Sequence, residues 1–333
     1  MNSTINIKDL LERGRAEYAR QGREQEIKKV GTLRAGNSGL VALDGQIVSK
    51  CARMTYLRMI GIDADMVDSS KAGMFEGGRS NEDSWVELIK LAKEPGLIIK
   101  RESEIPISWK TDNGITVTGR PDIVLCNESG PIKGLELKQV SSLWTARDVG
   151  LSIEPKMPNL LQAAHYSWQV GVPFELWYTS RVNFAAVSQI GKVRINWPRK
   201  EDYTGDSSRV KFNSGGFLKD ILPFEQGFEL QWTEGGQLKY RPIGDGPWKY
   251  TIITVDGIKK YYNLVASLKD NKELPAPPTN LNPDGTKGKF SLSAYCPLGD
   301  LCCSNDNANG ITSLDDWALK VLKFLDNRPI DKV

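Results

Sequence analysis

The stretch VTGRPDIVLCNESGPIKGLELKQV, residues 117–140, contains two apolar runs joined by a turn, and both runs carry charged side chains. Asp122 lies in the first run, and Glu136 and Lys138 lie in the second. Successive side chains of a strand point to opposite faces, so Glu136 and Lys138 share one face and Leu137 takes the other. If Asp122 faces the same side from the neighbouring strand, two carboxylates and an ammonium group converge. The stretch therefore predicts a hairpin with a charged patch.

The charges of such a patch must be compensated, because burying unpaired charges has a high free-energy cost. The charges either pair with one another, stay in contact with water or coordinate a cation. Carboxylate oxygens suit Mg²⁺ or Mn²⁺, which retain waters and complete their shell with substrate phosphate. A divalent ion there would activate a bound water, and Lys138 would orient that water or stabilise the transition state. The alternative is an ordinary charge cluster on a solvated sheet face.

A helix predicted over residues 159–171, with Gly171 as its end, follows the hairpin. It carries Gln162 and Tyr166 four residues apart, so both side chains lie on one helix face. Polar residues facing solvent would also explain this pattern.

Taken in order, Pro121-Asp122, Glu136-Leu137-Lys138 and Gln162-x-x-x-Tyr166 resemble the motifs of the PD-(D/E)XK nuclease superfamily, and of its RecB-like branch in particular. The resemblance covers about residues 49–181. It implies that Asp122, Glu136 and Lys138 are catalytic, and that Gln162 and Tyr166 support the lysine and the DNA phosphate.

A further acidic residue stands upstream, in Gly78-Arg-Ser-Asn-Glu82, on a helix predicted from Gly78. This form is similar to lambda exonuclease and its phage relatives, and the similarity implies that Glu82 is a third metal ligand beside Asp122 and Glu136. Glu87 is the second choice. A capping role for Asn81 or Glu82 in the first turn is the competing explanation.

The cysteines extend the resemblance to the CRISPR adaptation nucleases and helicase-nuclease relatives, which bind a [4Fe-4S] cluster with one upstream and three C-terminal cysteines. It implies a cluster here held by Cys51, Cys296, Cys302 and Cys303. The match is incomplete, because Ser293 stands where the family has its first C-terminal cysteine. A zinc ion on the same thiolates, or no bound group at all, are the alternatives.

Two other residues receive structural roles. Cys126 lies within a predicted strand and is expected in the core, and His165, the single histidine, is expected to be an accessory polar residue rather than a general base.

Composition restricts the location and the partners. The 333 residues carry a net charge of +3 from 44 basic and 41 acidic side chains, so any polyanion site must be a local patch. No apolar run approaches the roughly 20 residues that span a bilayer, and the N-terminus does not resemble a signal peptide. An odd number of cysteines argues against a secreted disulfide framework. We expect a cytoplasmic protein, in the host cytoplasm if the protein is viral, with no membrane partner.

The pattern of elements predicts an α/β fold with a mixed central sheet flanked by helices, and the resemblance implies a restriction-endonuclease-like core. Single strands are expected over 97–109, 115–127 and 133–141. The predicted organisation is an N-terminal helical extension at 1–48, a nuclease core at 49–184, a β-rich insertion at 185–250 and a C-terminal part at 251–333 that completes the core.

The expected function is that of a Mg²⁺- or Mn²⁺-dependent deoxyribonuclease. It would act on single strands or duplex ends in recombination, repair or phage DNA metabolism. An inactive DNA-binding or scaffold protein on the same fold is the alternative, and a nuclease that works only within a larger assembly is a third reading. Aromatic residues of the insertion would suit base stacking or a protein partner: Trp197, Trp232, Tyr240, Trp248 and Tyr250.

Overall fold

The computed structural model describes most of the chain. The described residues are Glu17, 30–62, 69–101, 104–140, Val149, 154–179, 210–212, 218–221, 225–244, 246–288 and 313–326. Most of the N-terminal helical extension expected at 1–48 lies outside them, since only Glu17 and residues 30–48 of it are described.

Fourteen strands and five α-helices occur in the described residues. The strands are β1 Leu33–Arg34, β2 Leu40–Val41, β3 Ile47–Val48, β4 Ile98–Arg101, β5 Ile107–Lys110, β6 Thr116–Gly119, β7 Ile123–Asn127, β8 Gly130–Gln139, β9 Phe174–Thr179, β10 Val210–Phe212, β11 Leu218–Ile221, β12 Glu225–Trp232, β13 Gln237–Pro242 and β14 Lys249–Thr254. The helices are α1 Ala52–Met59, α2 Ser69–Leu91, α3 Met157–Val170, α4 Val255–Asn271 and α5 Leu314–Asp326.

The chain divides into two compact units, each built from separate segments. Unit 1 comprises 1–80, 106–119 and 253–333, and unit 2 comprises 81–105 and 120–252. The domain boundaries expected after residues 48, 184 and 250 stay predictions.

Unit 1 contains a three-stranded sheet in the order β1-β6-β5 and the small antiparallel pair β2-β3. Helices α1 and α4 pack together, and the Thr55 and Tyr261 hydroxyls lie 2.7 Å apart in a hydrogen bond between them. Helix α5 begins at the Ser313 cap, whose hydroxyl accepts the Asp316 N–H.

Unit 2 is built on a seven-stranded sheet in the order β14-β13-β12-β9-β8-β7-β4. Strands β8 and β9 run parallel, whereas β4–β7, β7–β8, β9–β12 and β12–β13 are antiparallel. Helix α3 makes the crossover between the two parallel strands and ends at Gly171, whose φ of 78° is left-handed. The predicted mixed α/β sheet flanked by helices is confirmed at this level.

The two faces of this sheet are covered differently. Leu135 and Leu137 of β8 join Val86 of α2 and Ile123 of β7 in one buried cluster. Helix α3 contacts β8 and β9, and the Lys138 side chain reaches its Gln162. Glu136 and Lys138 therefore face α3, while the alternating leucines face α2.

Two long strands expected from the sequence are each divided. Residues 97–109 form β4 and β5, and 115–127 form β6 and β7, with the two halves in different sheets. The second break lies at Arg120 and Pro121, where the proline locks φ and offers no N–H to a ladder. Asp122 therefore precedes β7 instead of lying inside a strand.

Helix α2 also differs from expectation, because it begins at Ser69 and not near Gly78. The apolar spacing of the sequence predicts a buried face formed by Trp85, Leu88, Ile89 and Leu91 or Ala92, yet Leu88 and Leu91 are 65% and 70% exposed. Val86 is buried instead, with Trp85 and Ile89 packed beside it. The expected face is therefore correct for Trp85 and Ile89 and wrong for Leu88 and Leu91.

The strands expected within 185–250 are seen where the structure describes that segment. Strand β12 pairs with β9, so β12 and β13 continue the central sheet of unit 2. Among the described helices, none combines the length and the apolar character needed to cross a bilayer.

Candidate active site

Asp122 is held against the neighbouring strand at the start of β7. Its Oδ2 atom accepts the backbone N–H of Leu137 at 2.7 Å, which fixes the carboxylate beside the middle of β8. The hairpin predicted from residues 117–140 thus brings Asp122 next to the Glu136-Leu137-Lys138 segment, as the sequence indicated.

Glu136 is fully buried and has one close charged neighbour, Lys138. Lys138 Nζ donates to its Oε1 at 2.6 Å, whereas its Oε2 has no hydrogen-bond partner among the described residues. Burial, then the Asp122 charge, raises the pKa of Glu136 to about 8, against the opposing effect of Lys138. A buried carboxylate oxygen without a donor is unfavourable, so the site has an unused acceptor beside a second carboxylate.

Lys138 is the cation of this group, and its side chain is 25% exposed. Burial opposes its charge, but the carboxylates of Glu136 and Asp122 outweigh burial and hold the pKa of Lys138 above its usual value. The ammonium group therefore stays charged at neutral pH. The Lys138 ammonium group lies against a carboxylate and is also partly accessible to solvent.

Gln162 and Tyr166 complete a chain of hydrogen bonds on α3. Lys138 Nζ donates to Gln162 Oε1 at 3.2 Å, and Gln162 Nε2 donates to the Tyr166 hydroxyl at 3.3 Å. The four-residue spacing does place both side chains on one face, directed at the lysine. The alternative of polar residues turned to solvent is wrong, because Tyr166 is 3% exposed.

Glu82 lies on α2 near this group without joining it. The Glu82 charge raises the pKa of Glu136 less than burial and the Asp122 charge do, and its Oε2 lies 3.9 Å from Arg101 Nη2. Among the residues that the structure describes, no group of three or more acidic, histidine or cysteine side chains is close enough to form a metal site. Asp122 and Glu136 are thus brought together, and Glu82 stands further off.

The competing explanations for this part of α2 are not supported. Because the helix begins at Ser69, Asn81 and Glu82 lie in its interior and cannot cap it. The Asn81 side chain instead accepts the Thr179 hydroxyl at 3.0 Å. Glu87 pairs with Lys90 on the surface, where its side chain is 67% exposed.

Tyr178 is a residue of the site that the sequence did not reveal. It is the register partner of Lys138 in the parallel pair β8–β9. Its hydroxyl accepts the Lys156 N–H at 2.9 Å and the Asn159 amide at 3.1 Å, which holds the start of α3. Burial raises the pKa of Tyr178 to about 12, so the phenol stays neutral. Tyr178 is placed beside Lys138 by the parallel register of β8 and β9, and no local sequence pattern predicts that register.

His165 is fully buried and stacks on Trp168, with ring centroids 5.6 Å apart. Burial lowers the pKa of His165 to about 3, so the imidazole is neutral at physiological pH. This agrees with the expectation that it is no general base.

The cysteine predictions are only partly within the described residues. Cys51 is half-buried at the N-cap of α1, and Cys126 is buried in β7, as expected of a core residue. Cys296, Cys302 and Cys303, together with Ser293, lie outside the described residues. The cluster, and its zinc alternative, therefore stay predictions.

The aromatic residues expected to suit base stacking or a protein partner differ in their exposure and contacts. Tyr240 is 3% exposed and belongs to the core, so this part of the expectation was wrong. Trp248 carries Lys239 Nζ and Arg241 Cζ at 4.6 and 4.7 Å from its ring centroid, and Tyr250 is 60% exposed. Trp232 is half-buried, and Trp197 lies outside the described residues.

Comparisons with known proteins add little to this geometry. No protein-family model matches the sequence, and no curated protein matches it. Two solved chains match. One, titled "Crystal structure of SSO0001", has 17% sequence identity and a TM-score of 0.34 over 50% of this chain and 71% of its own. At this TM-score the likeness supports neither a fold family nor a function.

Proposed function

We propose that the chain is a divalent-metal-dependent deoxyribonuclease. One observation carries the proposal: Glu136 Oε2 is buried beside Asp122 and has no hydrogen-bond partner among the described residues. A fold rarely keeps such an oxygen without a use for it, and a cation is the ligand that two adjacent carboxylates favour.

The donor set fits Mg²⁺ or Mn²⁺ better than softer metals. Carboxylate oxygens of Asp122 and Glu136 would hold the ion, and Glu82 would join them from α2. Such an ion, when bound, lowers the pKa of a coordinated water and neutralises charge on the phosphate.

The remaining side chains act on the substrate through charge and position. Lys138 stays protonated, so it stabilises negative charge at the scissile phosphate and is not a general base. Gln162 accepts a hydrogen bond from its ammonium group and is itself held by Tyr166, which fixes the direction of the charge. The observed geometry therefore suits a preorganised phosphate site.

The finer assignments belong to the same proposal. The sheet of unit 2 would be a restriction-endonuclease-like core of the RecB and lambda-exonuclease type. The substrate would be single-stranded DNA or duplex ends in recombination, repair or phage DNA metabolism, in the cytoplasm. A [4Fe-4S] cluster on Cys51, Cys296, Cys302 and Cys303 would be an additional structural group.

Incubation with end-labelled single- and double-stranded DNA, in Mn²⁺ or in EDTA, tests the proposal. We expect metal-dependent cleavage that falls by about 10²-fold or more in Lys138→Ala, the scale of removing one preorganised charge stabiliser. Lys133→Ala is the matched control, because Lys133 also lies on β8 and pairs with a glutamate, Glu175, at 2.5 Å. Its activity should equal that of the wild type.

The alternative function, a DNA-binding or scaffold protein without hydrolysis, predicts another outcome. Binding of DNA without cleavage in Mn²⁺ would favour it. Cleavage that is equal in Lys138→Ala and Lys133→Ala would contradict the assignment of the active site.

A further inference from the structure

Arg101 stands at the end of the edge strand β4, next to the acidic group. Its register partner on β7 is Ile123, the residue that follows Asp122. Its guanidinium contacts two successive acidic residues of α2, with Nη1 at 2.6 Å from Asp83 Oδ1 and Nη2 at 3.9 Å from Glu82 Oε2. Arg101 therefore connects the edge of the sheet to the helix that carries the third carboxylate.

Arg101 is held both at its backbone and at its guanidinium. The Arg101 backbone N–H donates to Glu104 Oε2 at 2.8 Å, and the Glu104 N–H donates back to the Arg101 carbonyl at 2.7 Å. The short contact with Asp83 then fixes the outer end of the side chain. A planar guanidinium held in this way presents its remaining N–H groups in a fixed direction.

Glu82 is the residue that this arrangement acts on. Its side chain is 17% exposed, less than that of Asp83 at 62%, so it points away from solvent. It lies close enough to Glu136 for the two charges to interact. A glutamate that must become ordered when a cation binds loses rotamer freedom, and a cationic neighbour removes part of that freedom beforehand.

We propose that Arg101, anchored by Asp83, is a positioning residue that holds the Glu82 carboxylate at the rim of the Asp122 and Glu136 pair and thereby raises the affinity of the site for a divalent cation. This inference rests on the proposed metal-dependent function. It adds a residue outside the motifs, and the added role is to order a ligand and not to touch the substrate.

Mn²⁺ binding to the full chain, followed by electron paramagnetic resonance, tests this role without any reaction. Arg101→Ala should weaken Mn²⁺ binding roughly 3- to 10-fold, the scale of the freedom that one long side chain regains. In a Glu82→Gln background the same change should have no further effect, because Arg101 acts through Glu82. Asp83→Asn should weaken binding less, since it loosens only the anchor.

The matched control is Lys90→Ala, which removes an exposed ion pair with Glu87 on the same helix and should leave Mn²⁺ affinity unchanged. Arg101→Lys keeps the charge without the planar fork and should recover the affinity only in part. Thermal unfolding of each variant separates loss of fold from loss of positioning, and Asp83→Asn serves if Arg101→Ala does not fold.

Two results would overturn the inference while leaving the nuclease proposal standing: wild-type affinity in Arg101→Ala, or an equal loss in the presence and absence of Glu82. If either result is found while the wild type cleaves DNA in Mn²⁺, the role of Arg101 has failed and the nuclease proposal stands. If the wild type neither binds Mn²⁺ nor cleaves DNA, both proposals fail together.

Discussion

Binding of Mn²⁺ at the proposed site should depend steeply on pH, because the proposed ligand Glu136 must lose its proton and holds it to an unusually high pH. Burial and the Asp122 charge raise the pKa of Glu136 to about 8 in the metal-free protein. Below that pH most molecules carry a protonated Glu136, and the cation must displace the proton. Affinity should therefore rise as the pH rises, and level off above pH 8.

The size of the effect follows from the ionised fraction. With a pKa of about 8, half of the Glu136 side chains are ionised at pH 8 and about one in a hundred at pH 6. The apparent Mn²⁺ affinity should therefore be roughly 50-fold lower at pH 6 than at pH 8, and should gain less than about twofold from pH 8 to 9.

Isothermal titration at pH 6, 7, 8 and 9 measures this directly, and buffers of different ionisation enthalpy count the released proton. Asp122→Asn removes the neighbouring charge and should move the midpoint to lower pH, even though it also weakens binding. An affinity that is constant between pH 6 and 8 would refute the reasoning. It would mean that Lys138 already keeps Glu136 ionised in the metal-free protein.

Two further predictions concern the framework of the site. Tyr178→Phe removes the acceptor of the partly buried Lys156 N–H and should lower the free energy of unfolding by about 1–3 kcal/mol, whereas Asn159→Ala, which deletes only a side-chain donor, should cost about 0.5–1.5 kcal/mol. Equal losses in urea denaturation would contradict this. Gly134→Ala places a Cβ inside a phenylalanine ring and should destabilise by about 1–3 kcal/mol. Gly78→Ala in α2, where a Cβ meets nothing, should stabilise by about 0.5–1 kcal/mol, and the opposite order of the two melting temperatures would refute the packing.

The sequence was sufficient wherever local periodicity carried the information. Alternation in β8 placed Glu136 and Lys138 on one face of the strand. The four-residue spacing on α3 placed Gln162 and Tyr166 on one face of the helix. Both patterns depend only on the rise and turn of one element.

Local sequence patterns were insufficient for contacts between segments that are distant in the chain. The break at Pro121 divides an apparently continuous strand between two sheets, which the apolar run concealed. Tyr178 reaches Lys138 only through a parallel register across a helical crossover, and Arg101 reaches Glu82 only because β4 lies at the sheet edge. Such pairings are set by tertiary packing, which no window of sequence contains.

The parallel pairing of β8 and β9 affects how the protein folds during its synthesis. Lys138 and Tyr178 are neighbours in space but are separated by the whole of α3 in the chain. Contacts of this kind form late, because the intervening segment must close first. In a ribosome-bound chain that ends before β9, strand β8 lacks its parallel partner, so we expect Glu136 to remain hydrated and to ionise as it does in a free peptide. The unfinished chain should therefore lack the buried carboxylate pair until the residues of β9, up to 179, have left the exit tunnel.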